Sequence, residues 1–269
     1  MSPLRQKETS GKSPWIGWIF FLSVLLFAAP APAADWYVRG ALGYEASPAA
    51  DFTDADCASS RPPALFGCAA GCDGQPIGAY GDFGRFPLAE GAFGRQIFPW
   101  LRADLSLAYR FRMDYEGNAN FLSVGSVQPV SVRGDSLSGM VNVFIDISGF
   151  LAEKKLWRFQ PYIGGGIGLA HNRIDRMTFL FPQNAGRHKL SVTPSGDRTN
   201  LAFMAALGTG VILTERLRLD ISYRYFDLGR VETDPGQMVM NTAPAGIAVN
   251  SIETRLKTHG LAVGLRYHF

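Results

Sequence analysis

Leu101, Ala103, Leu105, Leu107, Tyr109, Phe111 and Met113 alternate with Arg102, Asp104, Ser106, Ala108, Arg110 and Arg112. A sustained period of two is a β-strand with one apolar and one polar face, and no half-buried helix spaces its side chains that way. The pattern recurs along the chain. Residues 36–44 set Trp36, Val38, Leu42 and Tyr44 against Tyr37, Arg39, Ala41 and Gly43. In residues 88–98, Gly91, Phe93 and Ile97 alternate less cleanly, because Arg95 sits among them. Val141, Val143, Ile145 and Ile147 then interleave with Met140, Asn142, Phe144 and Asp146. Residues 161–172 place Ile163, Ile167 and Leu169 opposite Gly164, Gly166 and Gly168. A helix there is disfavoured, since glycines cost it about 1 kcal/mol each. Leu201, Phe203, Ala205, Leu207, Thr209, Val211 and Leu213 form a sixth face, and Leu217, Leu219, Ile221, Tyr223 and Tyr225 a seventh. The last stretch carries Leu261, Val263, Leu265, Tyr267 and Phe269 against Gly260, Ala262, Gly264, Arg266 and His268. Eight strands are predicted.

The connections alternate in length. Those after the first, third, fifth and seventh stretches are long, at about 45–85, 115–136, 174–198 and 229–251, whereas 99–100, 148–158 and 214–215 are short. Strands that run up and down with short turns at one end and long loops at the other are the arrangement of outer-membrane barrels. Both ends of the chain then lie on the periplasmic side. Trp36, Phe98, Trp100, Trp157, Tyr267 and Phe269 fall at that end of their strands, and Tyr44, Tyr109, Phe111 and Tyr225 approach the other. Two aromatic girdles are expected.

Export is expected from the first residues, where Arg5, Lys7 and Lys12 precede an uncharged apolar run from Trp15 to Ala29 and then Pro30, Ala31, Pro32 and Ala33. This is the pattern of a secretory signal peptide, too short for a spanning helix. Cleavage after Ala33 leaves residues 34–269 as one barrel domain. The formal charge of +3 falls with the leader, which carries three bases and one acid (Glu8). A chain so close to neutral has no electrostatic case for nucleic acid. It is 47% apolar, yet residues 34–269 contain no apolar run of membrane-helix length. A membrane would have to be crossed in strands.

PWLRADLSLAYRF, PYIGGGIGLA, RLRLDISYRYFDLG and the terminal GLAVGLRYHF, taken in this order, resemble the eight-stranded barrels of the OmpA-type and opacity-protein-like outer-membrane superfamily. The resemblance spans residues 34–269. It implies an all-β, antiparallel, up-and-down transmembrane barrel in the cell outer membrane, within the broad porin-like class of Gram-negative barrels. It further implies that the terminal strand, through Leu261, Val263, Leu265, Tyr267 and Phe269, is the signal read by the barrel-assembly machinery. Arg95 departs from the pattern, since a lipid-facing arginine costs about 2–4 kcal/mol at mid-membrane and much less near the interface. The first loop is also longer than a minimal barrel needs.

Cys57, Cys68 and Cys72 crowd into that loop. In an oxidising compartment one local disulfide is expected, and Cys57 with Cys72 closes the largest ring. Three sulfurs without a nearby histidine leave a zinc site one ligand short.

Arg102, Asp104, Arg110, Arg112, Arg218, Asp220 and Arg224 share the face opposite the lipid. An eight-stranded barrel has room inside for side chains but not for an aqueous channel, so a mutually paired interior network is expected, with a narrow gated ion path as the alternative. For catalysis a lipid A deacylase-like barrel needs a histidine beside a serine with a carboxylate in support. None of His171, His188, His259 and His268 has a serine two residues away, and His188 with Ser191 reads as loop surface. No metal or cofactor is expected. The leading reading is a non-enzymatic surface protein, structural or presenting its loops to an unknown extracellular ligand, with outer-membrane lipid and lipopolysaccharide as its other neighbours. A lipid-modifying enzyme of the same architecture is the alternative. A soluble lipocalin-like barrel would turn its apolar residues inward.

Overall fold

The computed structural model describes residues 36–71, 73–121, 128–150, 158–182, 190–240 and 243–269. The expected signal peptide, Cys72, Trp157 and His188 lie outside them. The strands are β1 (Trp36–Ala46), β2 (Thr53–Asp54), β3 (Ala79–Asp82), β4 (Arg85–Phe98), β5 (Leu101–Ala119), β6 (Pro129–Asp146), β7 (Phe159–Ile174), β8 (Thr178–Leu180), β9 (Leu190–Val192), β10 (Gly196–Ile212), β11 (Leu217–Glu232), β12 (Gly236–Met240), β13 (Ala243–Val249) and β14 (Ile252–His268). Among the described residues no helix is long and apolar enough to cross a membrane.

Eight long strands pair antiparallel with their neighbours in the order β1, β4, β5, β6, β7, β10, β11, β14, and the circle closes between β14 and β1. Closure leaves those strands no free edge, which is what a lipid-facing sheet requires. The seam sets Val38 opposite Tyr267, Gly40 opposite Leu265, Leu42 opposite Val263 and Tyr44 opposite Leu261. Leu42, Tyr44, Leu261, Val263, Leu265 and Tyr267 all point outward.

Alternation builds the wall as the chemistry dictates. On β5, Leu105 is 61% and Leu107 58% exposed, while the intervening Ser106 and Ala108 are buried. Leu137, Leu169, Leu201, Tyr225 and Leu261 mark the upper limit of the outward apolar band. Beyond them the same faces carry Asp135 and Arg133, His171 and Arg173, Thr199 and Asp197, Asp227, and Lys257 and Arg255. A change from hydrocarbon-like to ionic surface at one level on strand after strand marks the rim of a membrane slab. Arg95 faces outward near the short-turn end, its guanidinium 5.4 Å from the Trp36 ring, which in turn stacks on Phe93 at 5.0 Å.

β7 can lie against its neighbours because three successive inward residues, Gly164, Gly166 and Gly168, have no side chains. A Cβ at Gly164 would meet the Phe144 ring, and one at Gly166 the Asn142 side chain.

Two features differ from the sequence expectation. The strands are longer: β5 runs 19 and β6 18 residues, against about 9–11 needed to span a bilayer, so much of what read as loop is barrel standing clear of it. Second, β5 carries a bulge at Arg112, where φ is 57° and the pairing with β6 slips between Arg110 and Met113. An inserted residue reverses the phase of everything after it. Met113, expected on the lipid face, is therefore fully buried inside, and Arg112, expected in the interior network, is exposed. β11 bulges likewise between Asp227 and Arg230, with Gly229 at a φ of 76°.

Candidate functional site

The lumen is built in tiers. Nearest the short-turn end, Arg102 donates to Asp146 at 3.1 Å with its guanidinium 4.2 Å from Phe144 and 4.4 Å from Tyr162, and Arg266 donates to Asp220 at 2.9 Å. One tier up, Asp104 accepts from the Tyr37 hydroxyl at 3.0 Å, from Asn142 at 2.8 Å and from Arg39 at 3.4 Å. Glu90 bridges Arg39 at 2.8 Å and Arg224 at 2.6 Å. Above it Arg110 engages Glu45 through two nitrogens, at 2.7 and 3.3 Å, and donates to Ser138 at 3.0 Å, while Thr258 donates to Glu45 at 2.7 Å. Charges this deeply buried persist only when paired and hydrogen-bonded.

Six of the seven expected interior charges thus line the lumen: Arg102, Asp104, Arg110, Asp220 and Arg224 inside these pairs, and Arg218 at the short-turn mouth. Arg112 does not. Arg39, Glu45, Glu90, Asp146 and Arg266, which complete the pairs, were not singled out in the sequence. Their signal was present, since each sits opposite the apolar face of its own strand.

Above Arg110 the lumen turns apolar. Phe86, Met113, Tyr115, Ile174, Phe226, Leu228 and Leu256 are all buried there, and the Arg110 guanidinium lies 4.3 Å from the Phe226 ring. Asn172 reaches across to the carbonyls of Leu228 and Arg230, at 2.8 and 2.9 Å, taking up groups displaced by the β11 bulge. Burial, with Asp51 and Asp82 adding to it, raises the Tyr115 phenol well above its ordinary range, so it remains a donor to the Ala79 carbonyl at 3.0 Å. An ion path would have to displace this plug.

At the long-connection end the external segments fold into a crown. β6, β8, β9, β12 and β13 form a small sheet in that order, and β2 pairs with the root of β14. The Asp54 carboxylate accepts the backbone N–H groups of Leu65, Phe66 and Gly67 at 2.8, 2.8 and 2.5 Å. Phe66 stacks on Phe121 at 5.1 Å, and both approach Phe179, tying three external segments together. A disulfide joins Cys57 to Cys68. The pairing is not the wider Cys57 to Cys72 ring, because folding the first external segment over Asp54 brings Cys68 back beside Cys57.

Opposed pairing puts Leu180 with Leu190 and Val192 with Val239 on the outer face of this sheet. Leu180, Leu190 and Val239 are exposed there. On the barrel's outer wall, His171 Nδ1 lies 3.0 Å from the Thr199 hydroxyl and its Nε2 3.8 Å from Asp197. Those groups are solvent-exposed, and the strand N–H groups around them are spent in the ladders, leaving no backbone donors for an oxyanion. Among the described residues no three histidine, cysteine or acidic side chains gather as a metal site.

Comparison with known proteins identifies the family. The outer membrane protein beta-barrel domain family matches residues 19–269. The chain is 25% identical over 171 residues to outer membrane protein PagN of Salmonella typhimurium, covering 63% of this chain and 65% of PagN. It is 29% identical over 127 residues to opacity protein opA50 of Neisseria gonorrhoeae, 42% of this chain and 45% of that protein. Among solved structures, OprG of Pseudomonas aeruginosa aligns with a TM-score of 0.47 at 14% identity, covering 88% of this chain and 97% of OprG. The chain belongs to the outer membrane protein beta-barrel domain family and is a β-barrel protein of the cell outer membrane.

Proposed function

We propose that the protein is a non-enzymatic surface barrel whose crown recognises an extracellular ligand. The observation carrying this reading is the union of a lumen filled by paired charges and packed apolar side chains with external segments that pack into one body and expose Leu180, Leu190 and Val239 together. Apolar side chains held at the tip of a rigid scaffold cost exposure and serve contact. Two further partners belong to the same proposal. The barrel-assembly machinery reads Leu261, Val263, Leu265, Tyr267 and Phe269, and lipopolysaccharide meets the basic rim of Arg133, Arg173, Arg255 and Lys257.

The test is adherence of cells displaying the wild type against cells displaying Leu180→Ser with Val239→Ser. Surface labelling of intact cells at Ala248→Cys, an exposed position of β13 introduced into both backgrounds, serves as the control for display. Equal display with at least tenfold weaker adherence supports the reading, and unchanged adherence overturns it. The juxtaposed imidazole, hydroxyl and carboxylate of His171, Thr199 and Asp197 favour a second reading, hydrolysis of outer-leaflet lipid. Acyl release that is lost in Thr199→Ala would replace the first reading with the second.

A further inference from the structure

Counting the lumen's charges tier by tier exposes an imbalance. In the upper tiers Arg39, Arg110 and Arg224 meet Glu45, Glu90 and Asp104, three against three. At the periplasmic mouth, among the described lumen side chains, Arg102, Arg218 and Arg266 meet Asp146 and Asp220, three against two. The register sharpens this: Arg266 on β14 stands directly opposite Arg218 on β11 and opposite Arg39 on β1. Like charges at directly opposed positions repel. Nothing in strand pairing requires two inward arginines there.

A cavity of about 270 Å³ opens beside them, lined by Gln96, Pro99, Asp146, Ser148, Gln160, Arg218 and His268. Around it the unpaired buried donors outnumber the unpaired buried acceptors, which are Gln96 Oε1 and Asp220 Oδ2. Arg218 Nε, Arg266 Nε and Nη1, and Arg102 Nη2 are buried without a protein hydrogen-bond partner, and Arg102 and Arg266 are themselves at most 1% exposed. Buried donors of this kind are costly unless something accepts from them.

We propose that the periplasmic mouth of the barrel is a binding site for a small oxyanion of the phosphate or carboxylate class, with Arg218 as its principal ligand. A singly charged group restores the balance of the lower tier, and a planar guanidinium suits two-point contact with either oxyanion. At about 30 Å³ per water the cavity takes such a group with several waters. His268 and Gln160 line the entrance, and Asp146 bars multiply charged ligands by repulsion.

The experiment titrates inorganic phosphate and, separately, acetate into the folded protein in neutral detergent and a low-chloride buffer, reading arginine side-chain NMR signals and thermal stability. Saturable shifts at the lower-tier arginines are expected, with affinity at least tenfold weaker in Arg218→Gln and unchanged in the externally exposed Arg133→Gln. Stability supplies a second readout if the affinity is low: without anion Arg218→Gln is expected to melt higher than wild type, and phosphate or acetate to raise only the wild type. The more conservative Arg218→Lys, which keeps the charge, retains binding if Arg218→Gln fails to fold. Response to acetate alone or to phosphate alone assigns the class. Absence of saturable binding in both arms, or equal binding in Arg218→Gln, would leave water as the sole occupant and overturn the proposal.

Discussion

Leu265 stands half exposed on the outer wall, opposite Gly40 on one side and Leu219 on the other. Its side chain therefore meets hydrocarbon. Leu265→Arg is expected to cost about 1–4 kcal/mol depending on depth, whereas Lys257→Leu, on the same face but beyond the apolar band, stays within about 0.5 kcal/mol. Reversible unfolding in lipid bilayers measures both, and equal tolerance would show that the outward face is wrongly assigned. In the lumen, Glu90 is the shared counter-ion of Arg39 and Arg224. Glu90→Gln leaves two buried guanidinium groups under-compensated and is expected to cost about 3–5 kcal/mol; a loss below about 1 kcal/mol would mean water reaches that tier. Which residues face the lumen was readable for Arg102, Asp104, Arg218, Asp220 and Arg224 because each sits inside unbroken alternation. Arg112 and Met113 were not readable. A bulge is set by one positive φ at a residue that is not glycine, and nothing in the local pattern announces it.

Elements divide along the same line. The spanning parts of the eight long strands show in the sequence because one face meets lipid and the other a polar lumen, so period two is enforced twice over. The upper parts of β5, β6, β11 and β14 lose that contrast, since both faces there mix polar and apolar residues, and they read as loop. β2, β8 and β9 are two or three residues long, too short to carry a period. What holds the crown is a set of irregularly spaced anchors, Phe52, Phe66, Phe83 and Phe179 with the Asp54 carboxylate, whose partnership only the fold reveals. The disulfide is one more such anchor. Cys57→Ser is expected to loosen the first external segment by about 3 kcal/mol while leaving the barrel folded. Limited proteolysis checks this, with new cuts between Asp56 and Gly71 and none in the spanning strands. Loss of the barrel itself would contradict it.

At the scale of the whole molecule, the alternation of long and short connections revealed the topology, and the terminal strand pointed to the closure that β14 makes with β1. The apolar filling of the upper lumen and the single-piece crown were hidden, because Phe86, Phe226 and Leu256 look in sequence like any other apolar strand residue whichever side they face. Those two features separate a rigid recognition surface from a barrel with four mobile loops. Amide hydrogen exchange in lipid nanodiscs distinguishes them directly, because protection reports the free energy of local opening. The prediction is slow exchange at Phe52, Ala79, Thr193 and Ile252, whose N–H groups are bonded within the crown, on a timescale approaching that of the spanning strands. Exchange at those four amides as fast as in an unstructured chain, beside a protected barrel, would contradict the account.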